Sequence, residues 1–89
     1  MVEQRITILN RLGMHTRAAA KFVFEAARYR CDIQVKKDGL TVDGKSIMGL
    51  MMLGAGKGDV VVIAAEGPDA DSAIKKLTKL VGRKFHEKG

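Results

Sequence analysis

The chain has 89 residues, 46% of them apolar, enough for one modest core in a single domain spanning residues 1–89. Its 16 Lys and Arg against 10 Asp and Glu leave a formal charge of +6, but aromatics are only 4% and do not interleave with the basic residues, which argues against a nucleic-acid binder. The lone cysteine excludes an internal disulfide, and no apolar run approaches the ~18 residues of a membrane span. Met1-Val2-Glu3-Gln4-Arg5 lacks the charged-then-apolar pattern of a signal peptide. A cytoplasmic location, with neither membrane nor nucleic acid as partner, is expected.

Residues 2 to 9 alternate, with Val2, Ile6 and Ile8 on one parity, and predict a half-buried strand. Asn10 to Met14 form a loop in which Gly13 breaks the apolar pattern. From Thr16 to Arg28 the residues favour helix, and Ala19, Phe22, Val23 and Ala26 make one buried stripe. Ala20 and Phe24 fall off that stripe. Cys31, Ile33 and Val35 alternate with polar residues as a second strand, with Cys31 as a small buried hydrophobe. Asp38-Gly39 signals a tight hairpin into a third strand through Leu40 and Val42.

Ser46 is a good N-cap for a short helix over Ile47 to Leu53. Six of these seven residues are apolar, three of them Met, and so short a helix cannot bury every face. Leu50 and Leu53 are expected inward. Ile47, Met48 and Met51 either fill the core too or form a surface for docking proteins, a use that flexible Met suits. Gly54 to Asp59 is a turn; it lacks the Gly-Lys-Ser/Thr ending of a phosphate loop. Val60 to Ala65 predicts a central strand. Asp69 is expected to cap a last helix with Ala70, Ala73, Ile74, Leu77, Leu80 and Val81 inward, and residues 83–89 read as a basic tail in which His86 is solvated. The whole is an α+β domain: strand, helix, strand, strand, helix, strand, helix, with a four-stranded, mostly antiparallel sheet and helices on one face.

The chemistry points to Gly13-Met14-His15-Thr16-Arg17. His15 stands where a loop becomes a helix. The first amides of a helix have no internal acceptor, and the macrodipole leaves roughly +0.5 charge there, so such an end attracts anions. Arg17 adds a guanidinium that grips phosphate oxygens in pairs. Imidazole is a nucleophile substantially neutral near pH 7. Together these residues could hold a phosphoryl group on nitrogen; the plainer reading is a flanking histidine without chemistry.

The element order, the 13–17 site and the Lys45-Ser46-Ile47-Met48-Gly49 segment, at the right spacing, resemble the HPr family of phosphocarriers of the bacterial phosphotransferase system. The resemblance spans nearly the whole chain and includes both the sugar and the nitrogen-related branches. It implies an open-faced sandwich, strand order first, fourth, second, third. It implies that Nδ1 of His15 accepts a phosphoryl group from phosphoenolpyruvate-charged enzyme I and passes it to a IIA protein or domain in sugar uptake. The family motif gives Arg17 a role in holding phosphate and partner. It makes Ser46 the regulatory serine on which a dedicated kinase and phosphorylase act in some bacteria. Ile47, Met48 and Met51 match the docking patch, with Ala20 and Phe24 at its edge. A carrier of this kind is a monomeric transfer component rather than a stand-alone enzyme, and needs neither cofactor nor metal. The chain departs from the family with Ala18 where proline is usual, Thr16 for a common alanine, and a higher positive charge. A regulatory protein-binding domain with an unphosphorylated His15 is the alternative.

Overall fold

A computed structural model describes residues 1–87. The elements run β1 (Val2–Thr7), α1 (Thr16–Ala26), β2 (Asp32–Lys37), β3 (Leu40–Asp43), α2 (Ile47–Met52), β4 (Val60–Glu66) and α3 (Ala70–Gly82), closed by a single turn at Lys84–His86. The strands form one sheet in the order β1-β4-β2-β3, and every neighbouring pair is antiparallel. The apolar run in β4 thus takes the expected central place.

Register decides which residues meet. Ile63 of β4 lies opposite Val35 of β2, Ala65 opposite Ile33, and Val61 opposite Ile6 of β1. With a side-chain period of two, these residues share one face, and the helices cover it. Phe22 of α1, Leu50 of α2 and Leu77 of α3 are fully buried there. Removing a side chain such as Leu77 from water contributes about 2 kcal/mol. α3 lies over β1 and β4, while α2 packs beside α1 and against β3. The other face of the sheet carries Glu3, Arg5 and Gln34 to solvent, and Lys36 reaches across β4 to Glu3 at 3.5 Å.

Local chemistry explains the punctuation. Asp38 and Gly39 both adopt positive φ, 49° and 82°, as a two-residue hairpin requires. The Ser46 hydroxyl accepts the Gly49 amide at 3.0 Å and caps α2. Replacing it with alanine strands that amide, and Ser46→Ala is expected to lower unfolding free energy by about 1 kcal/mol, measurable by urea denaturation.

Four expectations change. The α1 stripe includes Ala18, whereas Val23 is only half-buried, and the helix ends at Ala26. β1 ends at Thr7, although Ile8 beyond it is fully buried. Asp69 stands at the start of α3 but gives it no side-chain cap; its carboxylate instead accepts the Arg30 and Cys31 amides at 2.8 and 2.9 Å, joining the α3 start to the β2 start. The expected tail is built into the fold as far as Glu87, because Phe85 is buried in the core. His86 is exposed as expected; the last two residues of that segment, 88 and 89, lie outside the described part.

Candidate functional site

The loop after β1 is fixed by backbone hydrogen bonds to the turn before β4. Ile8 donates to Asp59 and accepts from Gly58, both at 2.8 Å, and Met14 donates to Ala55 at 2.8 Å. Gly13 makes this close approach possible. Its φ is +66°, and a Cβ there would lie 2.5 Å from the Ala55 oxygen. Asn10, fully buried, closes the loop by donating through Nδ2 to the Gly13 oxygen at 2.7 Å.

This bracing holds His15 as the residue that precedes α1. Its backbone is extended (φ −77°, ψ 179°), and its side chain makes no capping bond. Its carbonyl accepts the Ala19 amide. Among the described residues, the amides of Thr16, Arg17 and Ala18 have no backbone acceptor, so they remain free for an anion. Ala18 keeps an N–H that proline would remove. Arg17 and Lys21 line the same hollow as His15.

The opposite wall comes from the end of the chain. Lys84, Phe85 and His86 have φ of 60°, 54° and 59°, three successive left-handed residues. Each such non-glycine residue costs roughly 1–2 kcal/mol, so other contacts must hold the turn. Phe85 is buried, and the Lys21 ammonium donates to its carbonyl oxygen at 2.7 Å. The turn delivers Glu87 to the site. One carboxylate oxygen accepts from Asn10 Nδ2 at 2.9 Å and lies 3.5 Å from His15 Nε2; the other accepts the Leu12 amide at 3.3 Å. Among the described residues no hydrogen bond engages His15 Nδ1.

A second feature adjoins the first. Leu50 and Leu53 face inward, while Ile47, Met48, Met51 and Met52 form an exposed apolar patch on α2. Met52 was not expected in it. Thr16 links patch and histidine by donating its hydroxyl to Met51 Sδ at 3.7 Å. On α1, Phe24 is exposed and Ala20 half-buried. Ser46 stands at the start of α2, half-buried.

The family model described as the PTS HPr component phosphorylation site matches residues 2–83. The chain belongs to the HPr family. It is 49% identical to the phosphocarrier protein HPr of Pseudomonas aeruginosa, over 92% of each chain, and 42% identical to the HPr-like protein Crh of Bacillus subtilis, over 91% of this chain and 95% of that one. The crystal structure of HPr-C-His from Thermoanaerobacter tengcongensis superposes with a TM-score of 0.96 at 46% identity, covering both chains fully. An HPr dimer from the same organism superposes at 0.79 with 47% identity, over 98% of this chain and 100% of that one.

In this HPr-family chain the structure places the two residues expected from the sequence, His15 and Arg17, in one hollow, and adds beside them Asn10 and Glu87, which the sequence reading did not name. Two signals pointed to the latter: Phe85 is an apolar residue in a charged stretch, four positions past the core residue Val81, and Glu87 is the sole acid there. The hydrogen bond from Asn10 above all, helped by the Leu12 amide and the nearby His15, holds the Glu87 carboxyl below the ordinary glutamate range, with partial burial opposing. The Arg30 amide above all, with that of Cys31, does the same for Asp69. Depressed folded values mean that both carboxylates stabilise the fold above their unfolded values. That contribution starts to decline as the pH drops below about 4 and is gone beneath the lower folded values. The melting temperature should therefore hold steady between pH 7 and 5 and fall below about pH 4, with Glu87→Gln flattening part of the fall.

Proposed function

We propose that this HPr-family protein carries a phosphoryl group on Nδ1 of His15, taking it from phospho-enzyme I and handing it to a histidine of a IIA protein or domain in sugar uptake. What supports the reading is the amino end of α1. There His15 turns Nε2 toward Glu87, which favours the tautomer protonated at that nitrogen and leaves a lone pair on Nδ1.

Transfer is then an in-line displacement. The Nδ1 lone pair attacks phosphorus, and the bond to the donor's ring nitrogen breaks with its electron pair returning to that ring. The His15 ring gains positive charge as the bond forms, and the Glu87 carboxylate faces it. The free amides of Thr16 to Ala18 and the Arg17 guanidinium meet the phosphoryl oxygens. The reverse sequence discharges the group, so positioning and charge placement supply the catalysis.

The patch of Ile47, Met48 and Met51, with Ala20 and Phe24 at its edge, is the proposed docking surface for both partners. A small apolar contact suits complexes that must form and part quickly. A monomer leaves both the patch and His15 accessible. Phosphorylation of Ser46 by a kinase would add about −1.5 to −2 charge beside Ile47 and Met48 and so weaken docking.

Incubation with enzyme I and phosphoenolpyruvate tests the reading. One acid-labile phosphoryl group should appear on the protein and move to an added IIA domain. Absence of uptake would instead favour a regulatory binding domain built on the same fold.

A further inference from the structure

Of the exposed residues on α2, three are methionines, and one of them has a partner that the others lack. Met51 is 45% exposed, and its sulfur accepts the Thr16 hydroxyl at 3.7 Å. Thr16 opens α1 and adjoins His15. Met48 and Met52 are more exposed, but among the described residues no donor meets either sulfur. Met14, by contrast, is 5% exposed, and Cys31 is buried. Peroxide therefore reaches the α2 methionines well before Met14 or Cys31.

We propose that Met51 is a redox-sensitive modification site, oxidised by peroxides to a sulfoxide that the Thr16 hydroxyl holds beside His15, so that oxidation switches off docking to the phosphoryl donor. The last step rests on the carrier reading above; the site itself does not. In the reaction a sulfur lone pair attacks one peroxide oxygen, the S–O bond forms and the O–O bond breaks. Sulfur loses two electrons and the peroxide gains them. The proton on the transferred oxygen passes to the departing hydroxide, which leaves as water.

Two physical consequences follow at this position. The sulfoxide turns an adaptable apolar side chain into a strongly polar one within a patch that a partner must desolvate. Its oxygen is also a far better acceptor than the thioether, so the Thr16 hydroxyl holds the oxidised side chain at the amino end of α1, beside His15. Sulfoxides at Met48 or Met52 share the first effect and lack the second. Reduction by a methionine sulfoxide reductase would restore the thioether, which makes the change reversible.

The test treats the full-length protein with graded hydrogen peroxide and maps each sulfoxide by peptide mass. Amide shifts of Thr16 and Arg17 and the kinetics of phosphoryl uptake from phospho-enzyme I are then followed. Oxidation at Met51 should shift the Thr16 and Arg17 amides and raise the apparent KM for phospho-enzyme I about fivefold to tenfold, with kcat changed less. Each variant is compared with its own untreated form. The Met48→Leu, Met52→Leu double variant should remain sensitive; Met51→Leu should lose most of the sensitivity, and Thr16→Ala should remove the Arg17 amide shift.

The proposal falls if Met51 sulfoxide forms and those amides do not move. It falls equally if Met51→Leu remains as sensitive as the parent. Should the untreated protein accept no phosphoryl group, the carrier reading fails on its own, and the amide shifts alone decide whether Thr16 grips the oxidised side chain.

Discussion

His15→Ala is expected to abolish phosphoryl uptake from phospho-enzyme I, a loss of at least about 10³-fold, while changing stability by less than about 1 kcal/mol. The two halves of this expectation have different grounds. Uptake needs a nucleophilic nitrogen with a free lone pair, and alanine supplies none. Stability should survive because the His15 side chain makes no capping bond to α1 and is partly exposed. The interaction lost is the 3.5 Å approach to Glu87, and Glu87 keeps its hydrogen bonds from Asn10 and Leu12.

A second imidazole makes the control informative. His86 lines the same hollow and is exposed. Intact-mass measurement after incubation with enzyme I and phosphoenolpyruvate should show one acid-labile addition in His86→Ala and none in His15→Ala. Ser46→Ala should retain it as well. An addition that disappears with Ser46 or His86 instead would overturn the proposed mechanism.

Gly13→Ala should cost about 3 kcal/mol, whereas Gly39→Ala should cost about 1 kcal/mol, although both glycines have positive φ. Strain at the α-carbon is common to both. What differs is the space. A Cβ at Gly39 meets nothing within 4 Å. At Gly13 it would lie 2.5 Å from the Ala55 oxygen and 2.7 Å from the Gly56 Cα, and backbone cannot swing aside as a side-chain tip can. Relief requires the two loops to part, which stretches the 2.8 Å hydrogen bond from Met14 to Ala55. Urea denaturation should show the two midpoints separated by about 2 kcal/mol divided by a common m value. Because Met14 leads directly into His15, Gly13→Ala should also slow phosphoryl uptake, and Gly39→Ala should not.

The architecture was legible because each element carried its own period. The alternation around Ile33 and Val35, the Asp38-Gly39 turn and the spacing of Ala73, Leu77 and Val81 are local signals, and each fixes a face. The hairpin and the Ser46 cap were readable for the same reason, since partner and residue lie within a few positions. What escaped was settled by contacts far apart in sequence. Asp69 had a choice between the amides of its own helix and those of Arg30 and Cys31, and the sheet's geometry decided for the latter. Glu87 meets Asn10 across 77 residues, and nothing near either residue announces the other. Val23 stays at the edge of the stripe, half-buried against the core, and Ala18 joins it because α1 is covered by α2 and α3 together, which turns the buried face toward both. The charged stretch at the end concealed one aromatic ring, and burial of that single ring converts the stretch into a wall of the hollow.

That wall has a practical consequence for handling the protein. Only Lys88 stands between Glu87 and the final glycine of the sequence, and the Glu87 carboxylate lies 3.5 Å from the imidazole, so a peptide appended after Gly89 is tethered within two residues of a group that faces His15. The start of β1 pairs with Ala65, at the end of the sheet away from Thr7 and the loop that leads to the histidine. An affinity handle fused ahead of Met1 is expected to leave the proposed phosphoryl transfer unchanged, whereas the same handle joined after Gly89 is expected to slow it.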